Sequence, residues 1–309
     1  MKIAFLLTHL TVSGVTRFCD VAAKVMRNAG HDIDVVVGDE NSFACWQQSQ
    51  VVESISKNTS IIPVEVFIEN SYDIVFQNYN TTGIPVNKNL VKKVKFICHG
   101  LELKEYTPPE SIDELIVFGE RAYNFYNSNH PNITLIRNFV DEFRNPALDV
   151  ESDSPKKVLL VAARDTSFIT SMVMNACAKK GWYLSVAGQN EYVDIDYNYR
   201  NRILESDLVV GVGRCMYEAM AMGKPVVNFG INGGDGYVKG DKSFRNMMVT
   251  NGSGYTNQII PSPFENDGLC FKALLSEFNK YDFSDGQVNY ELAQKYLTPE
   301  LYIDKMLKI

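Results

Sequence analysis

Short apolar, β-branched runs recur along the chain at intervals long enough to hold a helix and its flanking turns. In the first half they fall at 3–8, 32–37, 74–77, 94–98, 114–118 and 133–136. Apolar runs of this length, without alternation, predict strands of a parallel sheet covered by helices on both faces. Between the first two runs, Phe18, Val21, Ala22, Val25 and Met26 recur at helical spacing, predicting a helix over 16–28 with Gly30 as its C-terminal cap. The pattern then breaks: 141–157 is polar, and the stretch from Asn145-Pro146 to Pro155 reads as a linker. Apolar runs restart at 158–162, 183–187, 208–212 and 226–229. The prediction is an α/β chain with one domain over 1–145, a linker over 146–157 and a second domain over 158–290. A closing segment, 291–309, is helical in pattern apart from a break at Pro299.

Composition narrows the class. A chain of 309 residues suits two domains of about 150 residues each. It is 45% hydrophobic and 22% charged, as in ordinary water-soluble chains. The net charge of −7 argues against a broad nucleic-acid footprint. Lys88, Lys92, Lys93 and Lys95 form the one clear basic cluster and read as a solvated helix end. The six cysteines are scattered, and several sit inside apolar runs. They read as reduced, buried thiols, with no disulfide framework or zinc site. The apolar run at the N-terminus is too short to cross a membrane and leads into a polar loop without a cleavage site. A cytoplasmic chain with no transmembrane segment is expected.

The most informative stretch is 206–227, SDLVVGVGRCMYEAMAMGKPVV. An apolar strand runs into glycines and Arg214, then into a helix that stops at Gly223, with Pro225 opening the next apolar run. A Gly-rich turn ahead of a helix presents backbone N–H groups and the positive end of the helix dipole. With Arg214 beside it, the turn suits an anion. Glu218 lies four residues on, on the face of Arg214, and can accept from two sugar hydroxyls. An anion site beside such a carboxylate fits a nucleotide diphosphate.

The run EAMAMGKPVV resembles the donor-site signature of retaining glycosyltransferases of the GT-B fold, glycosyltransferase family 4 in particular. The resemblance implies two Rossmann-like domains facing across a cleft, with the C-terminal helix crossing back to the first domain. It gives Glu218 to the donor ribose, and Gly213 and Arg214 to the diphosphate and sugar pocket.

Other stretches fit the same layout. The loop from Thr8 to Arg17 resembles the family's Gly-rich loop after the first strand, with Gly14 matching and Ser13 standing where Gly is usual. His9 and Arg17 become acceptor-side candidates. His99, at the end of the strand 94–98, stands where the family commonly has a histidine that hydrogen-bonds sugar or leaving phosphate. The stretch 135–141, LIRNFVD, resembles the family's landmark at the domain junction, with Arg137 and Phe139 as departures. Arg164 matches the donor-motif arginine that neutralises the diphosphate. The lysine that follows it in the family is absent, and Phe168 and Ile169 occupy that region. A first glutamate eight residues before Glu218 is also absent, with Val210 in its place. Gly188, after the strand 183–187, and the glycines of 232–237, Gly233 and Gly234, are donor-side candidates for close backbone approach to ligand. Asp194-Ile195-Asp196 spells the metal-binding string of the other glycosyltransferase fold but reads as a solvated loop; no metal and no cofactor are expected.

The resemblance therefore implies a transferase moving sugar from a UDP- or GDP-type donor to an acceptor that the residues do not identify. That acceptor is a saccharide, a lipid-linked intermediate, a small molecule, a protein or modified DNA. His99, Arg164 and Arg214 are the catalytic candidates, and charge on the leaving diphosphate is what they would stabilise. The alternatives are a phage-type enzyme glycosylating hydroxymethylated bases, a sugar-nucleotide epimerase of the same fold, and a non-catalytic nucleotide-sugar binding subunit.

Overall fold

The computed structural model describes the chain except residues 9, 11–12, 39–45, 79–80, 82, 100–107, 110, 147–150, 152–155, 163–166, 189–198 and 255–258. The strands are β1 Lys2–Leu7, β2 Asp32–Val37, β3 Ser60–Pro63, β4 Tyr72–Asn78, β5 Val91–Cys98, β6 Glu114–Phe118 and β7 Ile133–Ile136. They continue with β8 Lys157–Ala162, β9 Tyr183–Gly188, β10 Leu208–Gly211, β11 Val226–Gly230 and β12 Gly233–Tyr237. The helices are α1 Gly14–Asn28, α2 Trp46–Ser56, α3 Val64–Glu69, α4 Glu120–Tyr126, α5 Ser167–Lys180 and α6 Arg200–Glu205. After them come α7 Arg214–Ala221, α8 Gly240–Val249, α9 Asp267–Phe278, α10 Asp285–Tyr296 and α11 Ile303–Leu307. None of these helices is long and apolar enough to cross a membrane.

The chain divides into two compact units, 1–137 with 299–309, and 138–298. Each holds its own doubly wound sheet. The first has the order β3-β2-β1-β4-β5-β6-β7, parallel throughout. The second has the order β12-β11-β10-β8-β9, parallel except for the edge strand β12. Winding therefore reverses between β1 and β4 in the first unit, and between β8 and β10 in the second. At such reversals the crossover helices depart to opposite faces, leaving a crevice at the carboxyl ends of the strands.

The predicted two-domain α/β architecture is present, with particular differences. β3 has no counterpart in the sequence reading: it is a four-residue edge strand, only partly buried, and Pro63 closes it where no ladder N–H is needed. Residues 232–237, expected as a loop, contain the buried antiparallel strand β12. The predicted linker lies partly outside the described residues, but the chain before it already belongs to the second unit. There the Arg144 N–H donates to the Ala221 carbonyl at 3.0 Å, and Pro146 fills the space beside Gly223. The closing segment also divides later than residue 291. Leu292, Ala293 and Leu297 pack into the core around α7, and the buried Asn289 amide donates to the Lys224 carbonyl at 3.0 Å. Only residues from Pro299 onward join the first unit.

The basic cluster is not the solvated end expected of it. Lys88 and Lys92 are exposed and paired with Asp113 and Asp73, but Lys95 lies within β5 and is fully buried. Its Nζ donates to the Met306 and Lys308 carbonyls at 2.6 Å each and pairs with Glu114 Oε2 at 2.9 Å. Glu114 in turn accepts from the Thr134 hydroxyl at 2.6 Å. Burial pulls the Lys95 pKa down, while the Glu114 carboxylate opposes that shift. The ammonium thus ties the carboxyl end of α11, where a cation is favoured, to the sheet. Lys95→Met leaves Glu114 buried without its main partner and is expected to cost about 3–5 kcal/mol. Urea denaturation reads the loss, and faster proteolytic cleavage within 299–309 reads the release of the segment.

Candidate functional site

In the second unit, the crevice between β8 and β10 is set by the turn from β10 into α7. Gly211 sits where a Cβ would fall 2.7 Å from Cys215 Sγ and 2.9 Å from the Val161 carbonyl oxygen, so only glycine lets the turn lie this close to β8. Gly213, at φ +69°, then starts α7, with open space where its side chain would be. Every residue of α7 is buried.

Arg214 opens that helix and is 6% exposed. Its Nε donates to Glu218 Oε1 at 2.9 Å, one turn on. The Tyr199 hydroxyl also bonds Glu218, and its pKa is driven upward by burial and then by the Glu218 charge, so it stays a neutral donor. The same two causes push the Cys215 thiol up to about 12. Arg214 Nη1 and Nη2 are buried and have no hydrogen-bond partner among the described residues. A donor left in this condition costs about 1–3 kcal/mol, and more when it is charged. The Arg–Glu pairing that the spacing predicts is therefore formed, with the guanidinium held by one edge and its two terminal nitrogens unsatisfied.

A loop that the sequence reading did not single out completes the turn. Thr250 to Gly254 contains Asn251 at φ +55°, Gly252 at +74° and Gly254 at +85°. The Gly252 carbonyl accepts from the Gly213 N–H and from Asn228 Nδ2, both at 2.8 Å. Asn251 Oδ1 accepts from Asn138 Nδ2 at 3.0 Å and from the Tyr217 hydroxyl at 3.4 Å. Gly213 therefore contributes its left-handed backbone to the site, and its own N–H is already used. The available signal was the Asn251-Gly252-Ser253-Gly254 string, typical turn chemistry.

Three glycines expected to admit a ligand admit protein backbone. A Cβ on Gly188, at φ +129°, would fall 1.8 Å from the Ala162 carbonyl oxygen. One on Gly234 would meet the Asn228 carbonyl oxygen at 1.9 Å, and one on Gly233, at φ +91°, would meet that of Ile260 at 2.4 Å. Each is required by strand packing. Gly14 differs: nothing lies within 4 Å of its would-be Cβ, and it opens α1. Ser13, the departure from the resemblance, caps that helix, its Oγ accepting from the Thr16 N–H at 3.2 Å.

In the first unit the crevice lies between β1 and β4, with α1 starting beside it. Asn78, the last residue of β4, is fully buried; its Nδ2 donates to the Leu6 carbonyl at 2.8 Å. His99 Nε2 lies 2.9 Å from Asn78 Oδ1, and the imidazole stacks on Phe118 with centroids 5.0 Å apart. His99 is thus held at the strand end where it was expected. Arg17, an acceptor-side candidate, pairs with Asp20 at 3.2 Å, and Asp20 also accepts from the Ser54 hydroxyl. His9, Arg164 and the Asp194-Ile195-Asp196 string lie outside the described residues. Among the described residues, no cluster of three His, Cys, Asp or Glu side chains is placed to hold a metal ion.

No protein-family model and no curated protein matches the sequence. Solved structures do match in fold. The lipopolysaccharide outer core galactosyltransferase WaaB, in its apo form, aligns over 99% of this chain and 98% of its own, with 13% identity and a TM-score of 0.57. A TarM variant from S. aureus, solved with fondaparinux, alpha-GlcNAc-glycerol and UDP, aligns over 94% of this chain and 99% of its own, with 12% identity and a TM-score of 0.54. MurG from Acinetobacter baumannii aligns over 96% and 99%, with 8% identity and a TM-score of 0.51. The chain has the two-Rossmann-unit fold of these proteins, GT-B.

Gly188→Ala and Gly234→Ala are expected to cost at least about 2 kcal/mol each, because the added carbon meets backbone. Gly14→Ala should stay within about 1 kcal/mol, in the stabilising direction. Urea titrations of the three variants test the contrast. Cys215 should resist alkylation at pH 8 in the folded chain and react once urea unfolds it, as read by peptide mass spectrometry.

Proposed function

We propose that this chain is a glycosyltransferase using a nucleotide-diphosphate sugar, with the donor on the second unit and the acceptor on the first. The observation that carries this reading is the pair of unsatisfied Arg214 Nη nitrogens at the reversal between β8 and β10. Two parallel N–H donors ask for a ligand with two anionic oxygens, and a diphosphate supplies them. The fold is the one in which the named transferases work, and the EAMAMGKPVV resemblance assigns the same end of the same helix to the donor.

Roles follow from chemistry. Arg214, with Arg164 as the second cation that the resemblance assigns, stabilises the charge that builds on the leaving diphosphate. Glu218 holds Arg214 by Nε and so turns the Nη edge away from itself. The resemblance also gives its carboxylate to the donor ribose. Gly14 lets the sugar or its phosphate come close to the start of α1, and His99, fixed by Asn78, offers a hydrogen bond from the first unit. We read the reaction as metal-independent, with retention of anomeric configuration. As the bond between the anomeric carbon and the phosphate oxygen breaks, the acceptor hydroxyl oxygen bonds to that carbon on the same face and gives its proton to the departing phosphate oxygen. A second reading, nucleotide-sugar binding without transfer, is favoured by the absence of two residues of the resemblance: Val210 stands in place of its glutamate, and Phe168 and Ile169 occupy the region of its lysine.

Thermal melting with UDP, GDP and their sugars tests the donor assignment. Ligand at a hundred times its Kd adds about 2.7 kcal/mol. Arg214→Lys keeps a cation beside Glu218 but loses the paired donors. It should fold with little change in Tm and lose most of the ligand shift. No shift with any nucleotide or nucleotide sugar in the unmodified protein would overturn the reading. A shift without sugar transfer to any acceptor would favour the binding subunit.

A further inference from the structure

Glu218 is enclosed by protein. It is 3% exposed, on a helix whose every residue is buried. A helical side chain leans toward the N-terminus of its helix, so the carboxylate reaches back over the turn that begins with Arg214. Its Oε1 accepts from Arg214 Nε at 2.9 Å, and the Tyr199 hydroxyl supplies a further bond. The same charge helps to raise the pKa of the neighbouring Cys215 thiol.

Tyr199 itself is firmly held. It stands at the head of α6, where its carbonyl accepts from the Ile203 N–H at 3.0 Å. Ile203 is fully buried in the core around α7, and Tyr199 packs against that core. Arg202 Nη1 donates to the Val186 carbonyl in β9 at 2.7 Å, Lys224 Nζ to the Leu204 carbonyl at 2.9 Å, and Arg200 Nη2 to Asp141 Oδ1 at 3.0 Å. A short helix tied to β9 and to its neighbours thus delivers the hydroxyl. Bonds run from Tyr199 through Glu218 to Arg214 Nε, and the chain ends at the two unsatisfied Nη nitrogens.

A carboxylate beside a guanidinium gains most from a two-bond fork. Were Glu218 to swing across the Nη nitrogens, it would satisfy them and close the anion site. Its charge would then also repel a diphosphate. The bond from Tyr199 keeps the carboxylate on the Nε side. We propose that Tyr199 is a positioning residue of the anion site, acting through Glu218 to keep the Nη edge of Arg214 open to the diphosphate. This rests on the donor-site reading above and departs from the resemblance in one respect. Glu218 is committed to Arg214 and Tyr199, so it acts on the ligand through Arg214, and the ribose hydroxyls are not its partners.

Isothermal titration of the full chain with UDP, GDP, their 2′,3′-dideoxy counterparts and inorganic pyrophosphate tests the proposal, with melting curves as the check on fold. Tyr199→Phe removes one oxygen, Glu218→Gln keeps an oxygen for Nε, and Glu218→Ala removes the group. Tyr199→Phe should weaken nucleotide, dideoxynucleotide and pyrophosphate by one common factor, about fivefold, with little change in Tm. Glu218→Ala should weaken all three alike, about tenfold, although it removes a negative charge beside an anion site, and Glu218→Gln should recover most of the loss. Pyrophosphate binding that is unchanged or tighter in Tyr199→Phe and Glu218→Ala overturns the positioning role and leaves the donor reading standing. A Glu218→Ala variant that loses affinity only for the nucleotide with both hydroxyls, down to the level of its dideoxy counterpart, overturns the commitment of Glu218 to Arg214. If the unmodified protein binds none of the probes, both the donor reading and the role of Tyr199 fall.

Discussion

A doubly wound parallel sheet must reverse its winding once, and among the described residues Asn78, His99, Arg214 and Glu218 lie at or beside the strand ends that this reversal opens. Each βα crossover is right-handed, so strands added on opposite sides of the first strand send their helices to opposite faces. In the first unit this opens the edge between β1 and β4, and in the second the edge between β8 and β10. In the second unit the chain leaves this edge through glycine, because a Cβ at Gly211 would meet Cys215 Sγ and the Val161 carbonyl oxygen. Gly211 and Gly213 make the exit in the second unit, and Ser13 caps it in the first.

The reversal in the second unit carries an electrostatic problem as well. Arg214 starts a helix whose every residue is buried, so its charge must be met by protein or by ligand. Glu218 meets one edge of the guanidinium. Tyr199 holds Glu218 from another side, and burial keeps that hydroxyl protonated. The remaining edge is unmet among the described residues. A structural ion pair would close on itself with two forked bonds, as Arg and carboxylate readily do. This one is joined through Nε, and the Nη edge has no partner among the described residues.

Buried charge in the first unit is handled the opposite way. Lys95 uses its ammonium on two carbonyls at the end of α11 and on Glu114, which is held by Thr134. Lys93 joins the same cluster, pairing with Glu114 at 3.4 Å and donating to the Lys308 carbonyl at 3.3 Å, so the charges bind chain to chain. The contrast is between a charge cluster whose cations all have partners and one in which Arg214 Nη1 and Nη2 have no partner among the described residues.

Local pattern alone determined much of this. Apolar runs and their spacing gave most of the strands, Gly30 and Gly223 marked helix ends, and the interval of four placed Arg214 and Glu218 on one face. These features depend on windows of a few residues, where side-chain period and backbone freedom are set by covalent geometry. Tertiary structure alone decided the rest. Gly188, Gly233 and Gly234 answer to backbone brought from other strands, and residues 233–237 become a strand because β11 lies beside them. The Thr250–Gly254 loop reaches Gly213 from nearly 40 residues away, and Lys95 finds carbonyls more than 200 residues on. Apart from Gly234 and β12, which form a short hairpin with β11, each is a contact between distant chain segments whose meeting is set by topology, and no short window of sequence contains both partners.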